Sequence, residues 1–166
     1  MIVRKTIMQA ASAAVLFAVF AVTSQAQAPA GPPPYGAPIS LETAKKIAAA
    51  ANAEARKNNW GMVVAITDGG GHLVYLERMD GTQYASVDIA TRKAQSAAAY
   101  RRPSKVFEDA VAGGRNAVLG LTGAMPIEGG LPIVVDGKIV GAIGASGGTA
   151  PQDGVVAAAG LGALKP

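Results

Sequence analysis

The chain has 166 residues, half of them hydrophobic, with 15 basic and 11 acidic side chains, a single histidine and no cysteine. The missing thiol excludes cysteine nucleophiles, thiolate metal sites and stabilisation by disulfides. A formal charge of +4, scattered along the chain, is too weak for a nucleic-acid binder.

Arg4 and Lys5 make a positive start, an apolar stretch runs from Ile7 to Val22, and small and polar residues follow through Ala28. Ser24-Gln25-Ala26 fits the small-x-small pattern that signal peptidase recognises, which predicts an export signal over residues 1–26 cleaved after Ala26. The apolar run is shorter than the roughly 20 residues of a spanning helix, and no basic stop-transfer cluster follows it. The mature chain is therefore expected to be periplasmic or secreted, with no membrane insertion after cleavage. Loss of Arg4 and Lys5 leaves 13 basic residues against 11 acidic ones, a net charge of +2. Residues 27–39, QAPAGPPPYGAPI, predict an extended proline-rich tether that does not join a core, with Tyr35 either docked or free. Residues 40–166 then predict one domain.

Ser40 is an N-cap for a first helix with the apolar stripe Leu41, Ala44, Ala48, Ala51 and Ala55, ended by Asn58-Asn59. Met62 to Thr67 predicts a buried strand, Asp68-Gly69-Gly70-Gly71 a turn, and His72 to Arg78 a returning strand. After Asp80-Gly81, Ser86 is expected to cap an alanine-rich helix that Pro103 stops, and Ser104 a short helix to Ala112. A weak strand is expected within Leu119 to Ala124. Asp136-Gly137 predicts a two-residue hairpin between Leu131–Val135 and Lys138–Ala145, with Val134 opposite Ile139 and Ile133 opposite Val140. Both hairpin faces are then apolar, so that helices cover both or a second subunit covers one. A last helix runs from Asp153 to Leu164. The fold class is α/β (α+β), an antiparallel sheet of about five strands with helices packed on it.

His72 has two readings. It is an axial metal ligand or proton donor where the glycine turn enters a strand, or a partly exposed residue bonded to a turn carboxylate such as Asp68. Zinc needs more nitrogen or sulfur ligands than the chain supplies, and no G-x-S-x-G elbow supports a serine triad. His72 and Arg78 share strand parity, with Val74 and Leu76 between them, so one face is expected to carry an imidazole, an apolar floor and a cation. Arg78-Met79-Asp80-Gly81 puts a cation, a thioether and an acid into one turn, and Glu128-Gly129-Gly130 is a flexible carboxylate-bearing loop. Gly141, Gly144, Gly147 and Gly148 mark a close backbone approach, by a flat ligand or by a packed helix. No pair of groups has a spacing that implies general acid and base, which favours binding over turnover.

The stretches LETAKKIAAAANAEA, VAITDGGGHLVYLERMDG, SVDIATRKAQSAAAYRRPS, GGLPIVVDGKIVGAIGASGG and QDGVVAAAGLGAL occur in that order. Taken together they resemble the GlcG/HbpS family of small haem-binding, sometimes called haem-degrading, domains. The resemblance implies a profilin-like layered fold, homo-oligomers, and haem or a related tetrapyrrole as ligand. Exported relatives are linked to haem handling and membrane sensor proteins, others to glycolate or diol metabolism. On this basis His72, Arg78, Met79 and Asp80, with Glu128, Gly129 and Gly130, are expected to border the haem pocket, His72 being the candidate iron ligand. The competing classes are an enzyme acting on a small metabolite, with Asp68, His72, Arg78 and Asp80 as its polar cluster, and an oligomeric partner-binding module without ligand.

Overall fold

Ser40 opens the first helix as its chemistry demands: its side chain accepts a hydrogen bond from the Thr43 N–H at 3.1 Å. This is a computed structural model, and it describes residues 31–164. The expected export signal, and the first residues of the expected tether, lie outside the described residues. Helix α1 (Leu41–Lys57) ends where Asn58 caps it and Asn59 turns left-handed at φ 56°. The order continues β1 (Val63–Asp68), β2 (Leu73–Arg78), α2 (Ala85–Tyr100), α3 (Lys105–Ala112), a 3-10 turn (Asn116–Gly120), β3 (Gly130–Val135), β4 (Lys138–Ser146) and α4 (Ala150–Gly162).

The four strands form one antiparallel sheet in the order β2-β1-β4-β3. Alternate residues of each strand face opposite layers. Val64, Ile66, Ile133, Ile143 and Ala145 meet α1 and α4 in the main core, while Val63, Ala65 and Ala142 face α2. The α2 stripe of Ala90, Ala94, Ala97 and Ala98 is fully buried. It lies so close to the sheet that a Cβ at Gly144 would run into Ala90 O. The glycines of β4 are thus accounted for by a packed helix, one of the two readings the sequence left open.

Several local expectations are corrected. The fifth strand is absent among the described residues: the expected stretch is instead the end of the 3-10 turn and a loop with Gly123 at φ 76°. Tyr100 Oη holds that loop through Thr122 O at 2.7 Å, and Ser96 Oγ accepts from Met125 N–H at 3.0 Å. Ser86 does not cap α2; it is buried in the first turn, 3.3 Å from Ser146 Oγ. Ser104 does not cap α3 either, because its hydroxyl donates to Ile127 O at 2.6 Å and accepts from Gly130 N–H at 2.9 Å. Helix α4 starts at Ala150, where Gln152 Oε1 accepts from Thr149 N–H at 2.9 Å.

The hairpin pairs Val135 with Lys138 and Val134 with Ile139 as expected, but Ile133 faces Gly141. A bulge at Val140 inserts one residue and reverses the parity, so Ile133 and Ile143 share the main core instead of lying on opposite faces. Helices α2 and α4 pack on the two faces of the hairpin but leave Val134 and Val135 exposed beside its turn.

The proline-rich segment also departs from its expected role. Ile139 N–H donates to Pro34 O at 2.8 Å, Gly36 N–H to Ile139 O at 2.7 Å, and Ile39 N–H to Val140 O at 2.9 Å. Residues 34–39 therefore lie beside β4 as a strap, bridged in parallel at Tyr35 and Ile139, with Ile39 buried. They fill the stretch of β4 that precedes its pairing with β1 at Gly141.

Candidate functional site

The turn between β1 and β2 is organised by one carboxylate. Asp68 Oδ1 accepts from the N–H groups of Gly70 and His72, each at 2.9 Å, and Asp68 Oδ2 lies 3.2 Å from His72 Nδ1. Gly71 supplies the left-handed residue, at φ 85°, that closes the turn. Burial pushes the Asp68 carboxyl up, but the His72 N–H, its imidazole and the Gly70 N–H outweigh it and hold the group below its ordinary value. The His72 side chain is 84% exposed, and its Nε2 has no hydrogen-bond partner among the described residues. Both readings of His72 are thus compatible: the carboxylate bond that makes it an ordinary turn residue also fixes one ring nitrogen and frees the other.

Two clefts meet at this turn. The larger, about 560 Å³, is lined by Tyr35, Gly36, Pro38, Asp68, Gly69, Gly70 and Ala99. The smaller, about 190 Å³, is lined by Gly70, Gly71, Arg92, Gln95, Ala99 and Gly123. They share Gly70 and Ala99, and the His72 imidazole lies against Gly70, where a Cβ would stand 3.0 Å from Nδ1. Arg92 approaches Asp88 only to 3.8 Å, and Arg101 lies 5.7 Å from the Tyr35 ring centroid. The strap tyrosine and these arginines were outside the sequence-predicted site.

Arg78, Met79 and Asp80 sit at the opposite end of β2. Arg78 pairs with Val63 and stacks its guanidinium 4.8 Å from the exposed Tyr84 ring, while Met79 packs on the main core. With Arg56 and Glu77 these residues line a separate cleft of about 380 Å³, in which Arg56 and Glu77 approach to 3.4 Å. The common face expected for His72, Val74, Leu76 and Arg78 is not formed. The β2 register shifts between Leu73 and Tyr75, so Val74 packs with the main core and Leu76 with the α2 layer.

Glu128, Gly129 and Gly130 lie across the sheet from both. Gly130 starts β3, opposite Gly144, and Gly129 O accepts from Ala145 N–H at 2.9 Å. The structure therefore distributes the predicted site residues over three places within one chain. What the glycine loop surrounds is an ion pair that sequence reasoning missed. Lys93 Nζ lies 2.6 Å from Asp153 Oδ2 and 3.2 Å from Ala145 O, while Asp153 Oδ1 accepts from Gly148 N–H at 3.0 Å. A Cβ at Gly129 would stand 2.8 Å from the Asp153 Cβ and 3.0 Å from the ammonium. Burial pushes the Asp153 carboxyl above its ordinary value, with Lys93 and the Gly148 and Gly147 amides pulling the other way. A signal was present: Lys93 occupies the α2 stripe between Ala90 and Ala97, the one long charged side chain on an otherwise small apolar face.

Among the described residues no three His, Asp or Glu side chains converge as a metal cage, and no helix is long and apolar enough to cross a membrane. Residues 39–162 match the family described as haem degrading protein HbpS-like. Protein GlcG of Escherichia coli K12 is 44% identical over 108 residues, covering 65% of this chain and 81% of GlcG. A crystal structure of a double mutant of Streptomyces reticuli HbpS is 28% identical with a TM-score of 0.72, covering 86% of this chain and 98% of that one. A crystal structure of a PduOC:heme complex is 26% identical with a TM-score of 0.69, covering 76% of this chain and 94% of that one.

Proposed function

The chain belongs to the HbpS-like family, and on that premise we propose that it is an exported tetrapyrrole-binding protein that sequesters or passes on haem at the β1–β2 turn. One observation carries the reading: Asp68 holds His72 Nδ1 at 3.2 Å and leaves the exposed Nε2 available. A carboxylate on the distal ring nitrogen is the usual support of a metal-binding histidine, fixing both tautomer and ring orientation. Haem, when bound, supplies an iron that takes a nitrogen donor and two propionates that take cations. The residues present fit it. Tyr35, Pro38 and Ala99 give an apolar wall, Arg92 lines the smaller cleft, and Arg101 lies 5.7 Å from the Tyr35 ring centroid. A lone, exposed donor suits capture and transfer better than permanent retention.

The N-terminal residues support an export signal cleaved after Ala26, which would carry this activity to the periplasm or outside the cell. Exposed Leu119, Leu121, Val134 and Val135 support self-association, the homo-oligomer expected of this family. Titration with haemin tests the reading. A saturable Soret shift is expected, weakened at least about tenfold in His72→Ala. Arg78→Ala, at the far end of β2, is expected to bind like the parent. A free-haemin spectrum throughout would rule the function out.

A further inference from the structure

Tyr35 stands on the strap, yet it is held from several sides. Its hydroxyl donates to Ala98 O at 2.8 Å and lies 3.2 Å from Ala99 O, so it meets carbonyls of the last turn of α2, the first of which also accepts from the Arg101 N–H at 3.3 Å. Arg101, left-handed at φ 55° directly after that helix, reaches back to Pro33 O at 3.5 Å and flanks the ring. The ring edge packs on Gly69, where a Cβ would stand 3.3 Å from Tyr35 Cδ1. The next glycine, Gly70, carries the His72 ring in the same way. Two adjacent glycines thus seat two rings, one from the strap and one from the turn. Tyr35 nevertheless stays 48% exposed as a residue and lines the larger cleft with Pro38 and Ala99.

Resting on the tetrapyrrole reading above, we infer that Tyr35 is a positioning residue of this cleft, a fixed aromatic wall for a flat macrocycle, carried into place by the docked strap. Its O–H is committed as a donor to the α2 carbonyls. It is therefore not arranged as a phenolate donor to a metal. The wall acts on the ring system of the ligand and is indifferent to whether iron occupies it, whereas His72 acts on iron alone. The two side chains separate the recognition of a porphyrin plane from the recognition of its metal.

Haemin and metal-free protoporphyrin IX, titrated into the parent, Tyr35→Ala, Tyr35→Phe and His72→Ala, test this. Tyr35→Ala is expected to weaken both ligands by a similar factor, about fivefold to tenfold, the range of an aromatic contact. Tyr35→Phe keeps the ring and is expected to bind both within about twofold of the parent. His72→Ala is expected to weaken haemin far more than protoporphyrin. Unchanged binding of both ligands by Tyr35→Ala overturns the inference while leaving the tetrapyrrole reading intact, provided the parent binds haemin. A parent that binds neither ligand removes both. Weakening of haemin alone by Tyr35→Ala overturns the wall, since Tyr35 then acts on iron. Amide exchange at Ile139, whose N–H is bonded to Pro34 O, reports strap docking. If Tyr35→Phe loses both ligand binding and Ile139 protection, the hydroxyl anchor governs and the wall assignment falls.

Discussion

Lys93 and Asp153 form a 2.6 Å ion pair across 60 residues of sequence, with side chains 1% and 4% exposed. Two glycine loops, Gly129-Gly130 and Gly147-Gly148, close over it. The pair fastens α2 to the start of α4 and to the end of β4, where Lys93 also reaches Ala145 O.

Removing one partner strands the other. Lys93→Met is expected to cost about 3–5 kcal/mol in denaturant unfolding, because the Asp153 carboxylate is left buried without its cation. Burial already raises that carboxyl, so in the variant it holds a proton more readily when folded than when unfolded. The loss is therefore largest at neutral pH and shrinks on acidification. Combining Lys93→Met with Asp153→Asn, which keeps an acceptor for Gly148 N–H, is expected to recover at least half of it. A double variant as unstable as the sum of its parts would show that the pair does not act as a unit.

Gly144 tests the helix–sheet contact. A Cβ there meets Ala90 O and stands 2.7 Å from Ala94 N, both backbone atoms, so the layer must separate. Gly144→Ala is expected to destabilise by more than about 3 kcal/mol or to prevent folding. Gly120→Ala, with nothing within 4 Å of its Cβ, is expected to stay within about 0.5 kcal/mol of the parent. Thermal melts of the two variants would settle the contrast, and equal stabilities would contradict the close approach.

Asp68 gives a pH signature. Its folded carboxyl titrates below the ordinary 3.8, so it stabilises the folded state above that pH, and the contribution is lost as pH falls through the lower folded value. Asp68→Asn is expected to lower stability at neutral pH by less than about 1 kcal/mol, since solvent screens this exposed pair. The gap to the parent closes well below pH 3.8. A gap that does not change with pH would dissociate the turn from the carboxylate charge. The same variant loosens the His72 ring, and haemin affinity is expected to fall about tenfold.

The proposed export makes a mass prediction. Protein recovered from the periplasm or medium is expected to begin at Gln27, after cleavage behind Ala26. A chain beginning at Met1 in the membrane fraction would refute this.

The layered antiparallel fold was legible because each element had a local cause: the Ser40 cap, the Met62–Thr67 apolar run, the alanine stripe of α2, the Asp136-Gly137 turn. The bulges at Val74 and Val140 were not, because a single inserted residue leaves no mark on composition while reversing every later side chain. That one effect removed the shared face of His72 and Arg78 and moved Ile133 into the main core. Asp68 and His72 were legible as neighbours because the turn is short. Tyr35 and Arg101 were not, because the backbone bonds of the strap to β4 and the pairing of a proline-rich segment with a helix end are purely tertiary.

The β2-β1-β4-β3 order also governs how the protein folds. Each outer hairpin is built from neighbouring sequence, but the central seam joins Val63 to Ser146, from opposite ends of the domain. Two local pieces therefore wait on one distant encounter, whose loop-closure entropy is met before the seam returns any stabilisation. On a growing chain the seam cannot form until β4 has been made, and α4, whose Asp153 secures Lys93, comes later still.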